Sequence, residues 1–175
     1  VTQTDKLLIS SILPLKEYGY FVVAISVSAG ITALSTPLGN AIVPRLTYLA
    51  TSAANNNSFI ATYRTASQSA VVLISPIVWA LVLFSEEVLF LWTGDEYLAE
   101  FASGVLSLYS AGNGLLVMSA FVFYLQVSFG NVRLHLIGSV IFLMTLLPLL
   151  IYLVTKYGIL GAGMAWVVTN SLYFL

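Results

Sequence analysis

An all-α bundle of membrane-spanning helices is the fold class this sequence predicts, on three observations. The 175 residues are 59% hydrophobic and only 7% charged, whereas soluble domains carry about 25% charged residues. With a mean hydropathy of +0.99, a water-facing surface can hardly be assembled. The few charges are also spaced widely. They leave uncharged stretches of 27 residues after Glu17, 21 after Arg64, 32 after Glu100, 20 after His135 and 19 after Lys156. About 20 apolar residues cross a bilayer as a helix, which satisfies its own backbone polar groups in hydrocarbon. Finally, the run from Leu143 to Val154 does not alternate in polarity, as a barrel strand must.

Taken in order, residues 1–13 read as the end of an earlier helix. Five spans follow, at roughly 19–43, 67–90, 99–126, 134–154 and 158–175. The links Pro14–Tyr18, Thr93–Leu98, Val127–Arg133 and Thr155–Tyr157 are short, which implies antiparallel neighbours in one bundle. The connection at 45–66 is longer. Leu46, Leu49 and Ala53 have helical spacing, Asn55-Asn-Asn-Ser58 is a turn and N-cap signal, and Phe59 and Tyr63 resume the pattern. Two short amphipathic segments at the interface fit this stretch, and so does a solvated loop. The chain begins without Met and ends inside an apolar run, so it reads as a fragment of a larger protein.

Composition excludes several function classes. A net charge of −1 gives no basic footprint for nucleic acid. Cysteine is absent and His135 is the single histidine, so no metal site or cofactor is expected. No Ser/His/Asp set or phosphate-cradling glycine loop appears, and the chain is not expected to be an enzyme. Glu86-Glu87 and Asp95-Glu96 read as a solvated rim. Arg45, Arg64 and Arg133 fall on one side, while Lys16 and Lys156 share the other with most of the acids. The Lys/Arg rule places the arginine side in the cytoplasm.

Some residues depart from the apolar rule. Asp5 lies nine residues before Pro14, about 14 Å along a helix and so near mid-bilayer. An ionisable pair Asp5-Lys6 at that depth faces either a substrate or ion path or a partner helix. Ser103, Ser107 and Ser110 share a helix face, which favours close helix packing. Asn113 and Gln126 carry amides that need partners in hydrocarbon, in a hydrated lumen or between helices. Pro37, Pro44, Pro76 and Pro148 fall in or at the ends of spans, where each removes a backbone donor. Trp79, Trp92, Tyr97 and Tyr157 suit interfacial anchors.

Specific strings add a resemblance. Gln3-Thr-Asp-Lys-Leu-Leu-Ile-Ser10 followed by Leu15-Lys-Glu-Tyr-Gly-Tyr20 resembles the helix and turn that open each half of the bacterial oligosaccharide flippases, the polysaccharide biosynthesis proteins. Pro37 to Pro44-Arg45-Leu46, Tyr63-Arg64, Leu91-Trp-Thr-Gly-Asp95, Tyr124-Leu-Gln-Val-Ser-Phe-Gly130 and Tyr157-Gly-Ile-Leu-Gly-Ala-Gly163 follow in the family's order. Phe129 departs from it, since a more polar residue is expected there. The likeness covers nearly the whole chain and is greatest to the second six-helix half.

The resemblance implies half of a two-bundle transporter in the multi-pass inner membrane of a bacterium, within the superfamily that includes multidrug exporters. Its cargo would be an undecaprenyl-pyrophosphate-linked oligosaccharide, turned to the periplasmic leaflet by alternating access, with a possible coupling ion. Asp5, Lys6, Asn113, Tyr124, Gln126 and Arg133 are then the expected substrate or ion path. Membrane lipids, a polysaccharide polymerase and glycosyltransferases are the expected partners. A drug or cation antiporter would want acids facing the lumen, yet most acids here sit in loops on one side. A polyprenyl-sugar transferase would want a carboxylate in a cytoplasmic loop, where none is placed. A structural membrane subunit would bury Asp5 against a neighbour.

Overall fold

The computed structural model describes residues 4–52 and 56–174, and among them the secondary structure is helix with no strand. Among these residues seven helices follow one another: α1 Thr4–Ile12, α2 Leu15–Thr51, α3 Asn56–Leu83, α4 Ser85–Thr93, α5 Glu96–Ser128, α6 Arg133–Tyr157 and α7 Ile159–Phe174. Four of them, α2, α3, α5 and α6, are long and apolar enough to cross a membrane. α7 is apolar but shorter, with 16 residues.

The direction of each helix follows from its contacts. Tyr20 packs on Phe101, Phe21 on Tyr109, and Ser28 meets Asn113. Residue numbers rise together, so α2 and α5 run parallel. Phe59 meets Phe129 and Tyr63 meets Phe121, whereas Ser107 reaches Val82. α3 therefore runs against α5. Phe142 touches both Trp166 and Tyr173, and Tyr173 meets His135, so α7 returns against α6 and parallel to α5.

α5 is the central pillar. Of its most apolar stretch 56% is buried, against 28% for α2, 17% for α6 and 11% for α3. Its buried face carries Ala102, Val105, Leu106 and Tyr109, which pack with Phe21 of α2, Leu146 of α6 and Ala162 of α7. Lipid tails are as apolar as leucine, so close van der Waals fit and hydrogen bonds hold such helices together. That fit has little slack. A Cβ at Gly112 would collide with the Trp166 indole, and one at Gly161 would collide with the Leu153 backbone. Gly161 thus lets α7 press directly on the last turns of α6.

The helix boundaries differ from the sequence expectation in two places. The 45–66 connection is mostly helix. α2 continues to Thr51 through Pro37 and Pro44, and α3 starts at Asn56. The amphipathic spacing noted at Leu46–Ala53 and at Phe59–Tyr63 thus belongs largely to the ends of two long helices. Proline is accommodated in a long membrane helix when its neighbours re-satisfy the freed backbone.

The span expected at 67–90 is broken. α3 stops at Leu83, and α4 starts at Ser85 with Glu86 and Glu87 in its first turn. Carboxylates are favoured at a helix N-terminus by its partial positive charge. α5 then starts after Asp95, whose carboxylate accepts the Leu98 N–H at 3.0 Å.

Candidate functional site

The charges divide between the two ends of the bundle. Arg45, Arg64 and Arg133, all exposed, lie where α2 and α5 end and α3 and α6 begin. Glu17, Glu86, Glu87, Asp95, Glu96 and Glu100 lie at the opposite end, with Lys16 and Lys156. There the Lys16 ammonium sits over the rings of Tyr20 and Tyr97, 5.6 and 4.9 Å from their centroids. Lys156 sits likewise over Tyr152 and Tyr157. Aromatic faces attract cations electrostatically, so both lysines are held at the rim.

Between the ends lies a buried polar knot. Asn113 of α5 is 6% exposed, and Ser28 of α2 is fully buried. The Asn113 Nδ2 donates to the Ser28 carbonyl at 3.0 Å and to its Oγ at 3.3 Å. On the other side the Trp166 Nε1 donates to the Asn113 Oδ1 at 3.0 Å. One amide therefore joins three helices. Tyr109 stacks on Trp166 with centroids 5.5 Å apart and screens the knot. Both the donor and the acceptor of the Asn113 amide are engaged inside the bundle.

The other expected path residues lie elsewhere. Tyr124 reaches across to α2, where its hydroxyl end occupies the space left by Gly39. The Gln126 Oε1 accepts the His135 N–H at 2.9 Å, which caps the start of α6 from the end of α5. Arg133 is the first residue of α6, and its N–H donates to Asn131 Oδ1 at 3.3 Å. Tyr124, Gln126 and Arg133 thus gather at the basic end, and Asn113 sits near mid-bundle. Lys6 is half-buried on α1, which packs on α6. The Asp5 side chain lies outside the described residues.

Three recesses open on the bundle surface. One, of about 420 Å³, lies between α3 and α5 with apolar walls that include Ile74, Val78 and Met118. A second, of about 440 Å³, lies between α5, α6 and α7 and is bordered by Gln126, His135 and Tyr173. There the Tyr173 hydroxyl and His135 Nδ1 are 2.9 Å apart. A third, also about 440 Å³, lies between α2 and α3 with Arg45, Thr62, Thr65 and Ser69 in its walls. Among the described residues no three His, Cys, Asp or Glu side chains group as metal ligands.

The three serines expected to share a face have separate surroundings. Ser103 donates back to the Glu100 carbonyl, and Ser107 donates to the Val82 carbonyl of α3 at 3.2 Å. Ser110 is fully buried, and its Oγ has no partner among the described residues. Trp166 and Ser28, which complete the Asn113 knot, stand outside the expected set. The signal for Trp166 was its indole N–H within an uncharged apolar helix, because such a donor needs an acceptor when buried. No family model, curated protein or solved structure matches the chain.

Proposed function

We propose that this chain is one helical half of a bacterial inner-membrane transporter that turns an undecaprenyl-pyrophosphate-linked oligosaccharide from the cytoplasmic to the periplasmic leaflet. The observation that carries the reading is the division of charge across a bundle of spanning length. One end presents Arg45, Arg64 and Arg133, and the carboxylates of Glu17, Glu86, Glu87, Asp95, Glu96 and Glu100 all sit at the other. An arginine-bearing end favours the cytoplasm, where such a cargo is assembled. Guanidinium groups bind phosphate oxygens through charge-assisted, often bidentate hydrogen bonds. Five crossings are assigned, with α7 as the fifth and α4 lying along the outer rim.

The path for the cargo would run past Lys6 and Asp5 of α1 toward the basic end at Tyr124, Gln126 and Arg133. Asn113 would hold α2, α5 and α7 together behind that path. Alternating access would move this half as a unit against a second one. The experiment replaces Asp5, Lys6 and Arg133 singly with Ala in the full-length protein and confirms membrane levels. It then measures surface polysaccharide together with lipid-linked repeat units held inside the cell. Loss of the first with accumulation of the second is expected. Unchanged polysaccharide in all three variants overturns the assignment.

A further inference from the structure

The groove between α2 and α3 brings one guanidinium and three hydroxyl side chains together. Thr47, Thr51 and Ser67, on the same two helices, turn their hydroxyls back onto carbonyls of their own helix. So do Thr32, Ser35, Thr36, Thr145 and Thr155. Thr62, Thr65 and Ser69 do not. No hydrogen bond engages their hydroxyls among the described residues, and all three border the groove. They stand at i, i+3 and i+7, on one face of α3. Arg45 faces them from α2, also without an ion pair among the described residues. The carboxylates from Glu17 to Glu100 lie at the far end of the bundle.

The levels match. Arg45 is six residues before the end of α2 and Thr62 is six after the start of α3, so each lies about 9 Å from its helix end. Leu38 and Ser69 are both 13 residues from those ends, about 20 Å in. The groove therefore runs from a guanidinium past hydroxyls to an apolar floor at Ile42 and Leu38. Its depth in a bilayer follows from length. α2 has 37 residues and spans about 55 Å, roughly 25 Å more than a hydrocarbon core. Shared between the two ends, that surplus puts Arg45 in the headgroup zone and Leu38 inside hydrocarbon.

The geometry points to a binding site for a phosphate-bearing membrane lipid, with its phosphate on Arg45 and the Thr62 and Thr65 hydroxyls and its first acyl carbons along Ile42 and Leu38. A carboxylate-free cationic fork with open hydroxyl donors suits phosphate oxygens, and the apolar continuation selects an attached chain over the free ion. The site holds such a lipid whatever the transporter's cargo, so it stands apart from the flippase reading.

The test uses the full-length protein in nanodiscs of phosphatidylcholine doped with phosphatidic acid, and counts retained phosphatidic acid by native mass spectrometry. Arg45→Gln is expected to lower retention about tenfold, the loss of one charge-assisted pair. The triple variant Thr62→Val, Thr65→Val, Ser69→Ala is expected to lower it about threefold. Arg64→Gln, at an exposed arginine of the same end that does not border the groove, is expected to leave it unchanged. Equal loss in Arg64→Gln would mean that charge alone attracts the lipid and would overturn the site. So would full retention in both the Arg45 and the triple variant. Inorganic phosphate is the remaining arm. Displacement of the lipid by free phosphate at matching concentration would show an anion site without a chain and reject the proposal. Surface polysaccharide in the same strains reports on transport separately.

Discussion

The indole N–H of Trp166 on α7 donates to the side-chain oxygen of Asn113 on α5 across 3.0 Å, while the nitrogen of the same amide holds Ser28 on α2. Three helices that are far apart in sequence thus meet at one polar group. In hydrocarbon an interhelical hydrogen bond contributes about 0.6 kcal/mol on average and up to about 1.7. Asn113→Leu strands the Trp166 donor and is expected to lower stability by about 1–3 kcal/mol. Trp166→Phe is expected to cost less. Unfolding in mixed detergent should show the two changes to be coupled. Strict additivity would mean that the contact carries no energy.

Thr169 makes the opposite prediction. It is 1% exposed, and among the described residues its hydroxyl has no hydrogen-bond partner. A buried hydroxyl without a partner carries a desolvation cost of about 1–3 kcal/mol. Thr169→Val keeps the shape and removes the polar atom. The variant is expected to be as stable as the parent chain or more so, by up to about 1 kcal/mol. A clear loss in the same unfolding measurement would show that this hydroxyl is satisfied in the folded protein.

Gly161 allows no side chain. A Cβ there would overlap the Leu153 carbonyl, which is backbone and cannot swing aside. Gly161→Ala is expected to destabilise by about 1–3 kcal/mol through overpacking. Gly19, where a Cβ would meet nothing within 4 Å, is the control. Gly19→Ala is expected to be neutral or slightly stabilising, because alanine is the better helix former. Thermal melts of the two variants compare the sites directly.

The chain contains no cysteine, so single cysteines can report which side of the membrane each end faces. Cysteine in place of Arg64 or Asn131 is expected to react with a membrane-impermeant maleimide only after the cells are opened. Cysteine in place of Glu86 or Glu100 is expected to react in intact cells. The reverse pattern would invert the orientation drawn from the Lys/Arg rule.

The parts of the fold legible in the sequence were those set by solvent. The apolar stretches beginning near Phe101, Leu134 and Ile159 became helices within a few residues of their expected limits, because charge cannot enter hydrocarbon cheaply. The Phe84 break was missed because it lies between two apolar runs with no proline or glycine to mark it. Its signal was Ser85-Glu86-Glu87, a helix start whose acids were assigned to the rim. The extension of α2 through Pro44 was missed because proline suggested an end, although a packed helix tolerates it.

Less of the site was legible. Gln126 was singled out for its amide, but its partner is a backbone N–H at His135, across a turn. Asn113 was singled out in the same way. Its partners lie 85 and 53 residues away, a pairing that only the parallel course of α2, α5 and α7 creates. Arg45 was read chiefly as a topology signal. The hydroxyls opposite it share its groove because α2 and α3 run antiparallel with matched ends, which spacing within either helix does not reveal.

Gly158 is the single residue between α6 and α7, and Gly161 then seats α7 against the backbone of α6. A link this short leaves the two helices no means of entering a bilayer at different times. In the proposed orientation they enter the bilayer as one hairpin with the turn leading. Lys156 is the one charged side chain near that tip, so translocating it carries a single formal charge across. Assembly of the α5–α7 contact can begin only once the hairpin has entered.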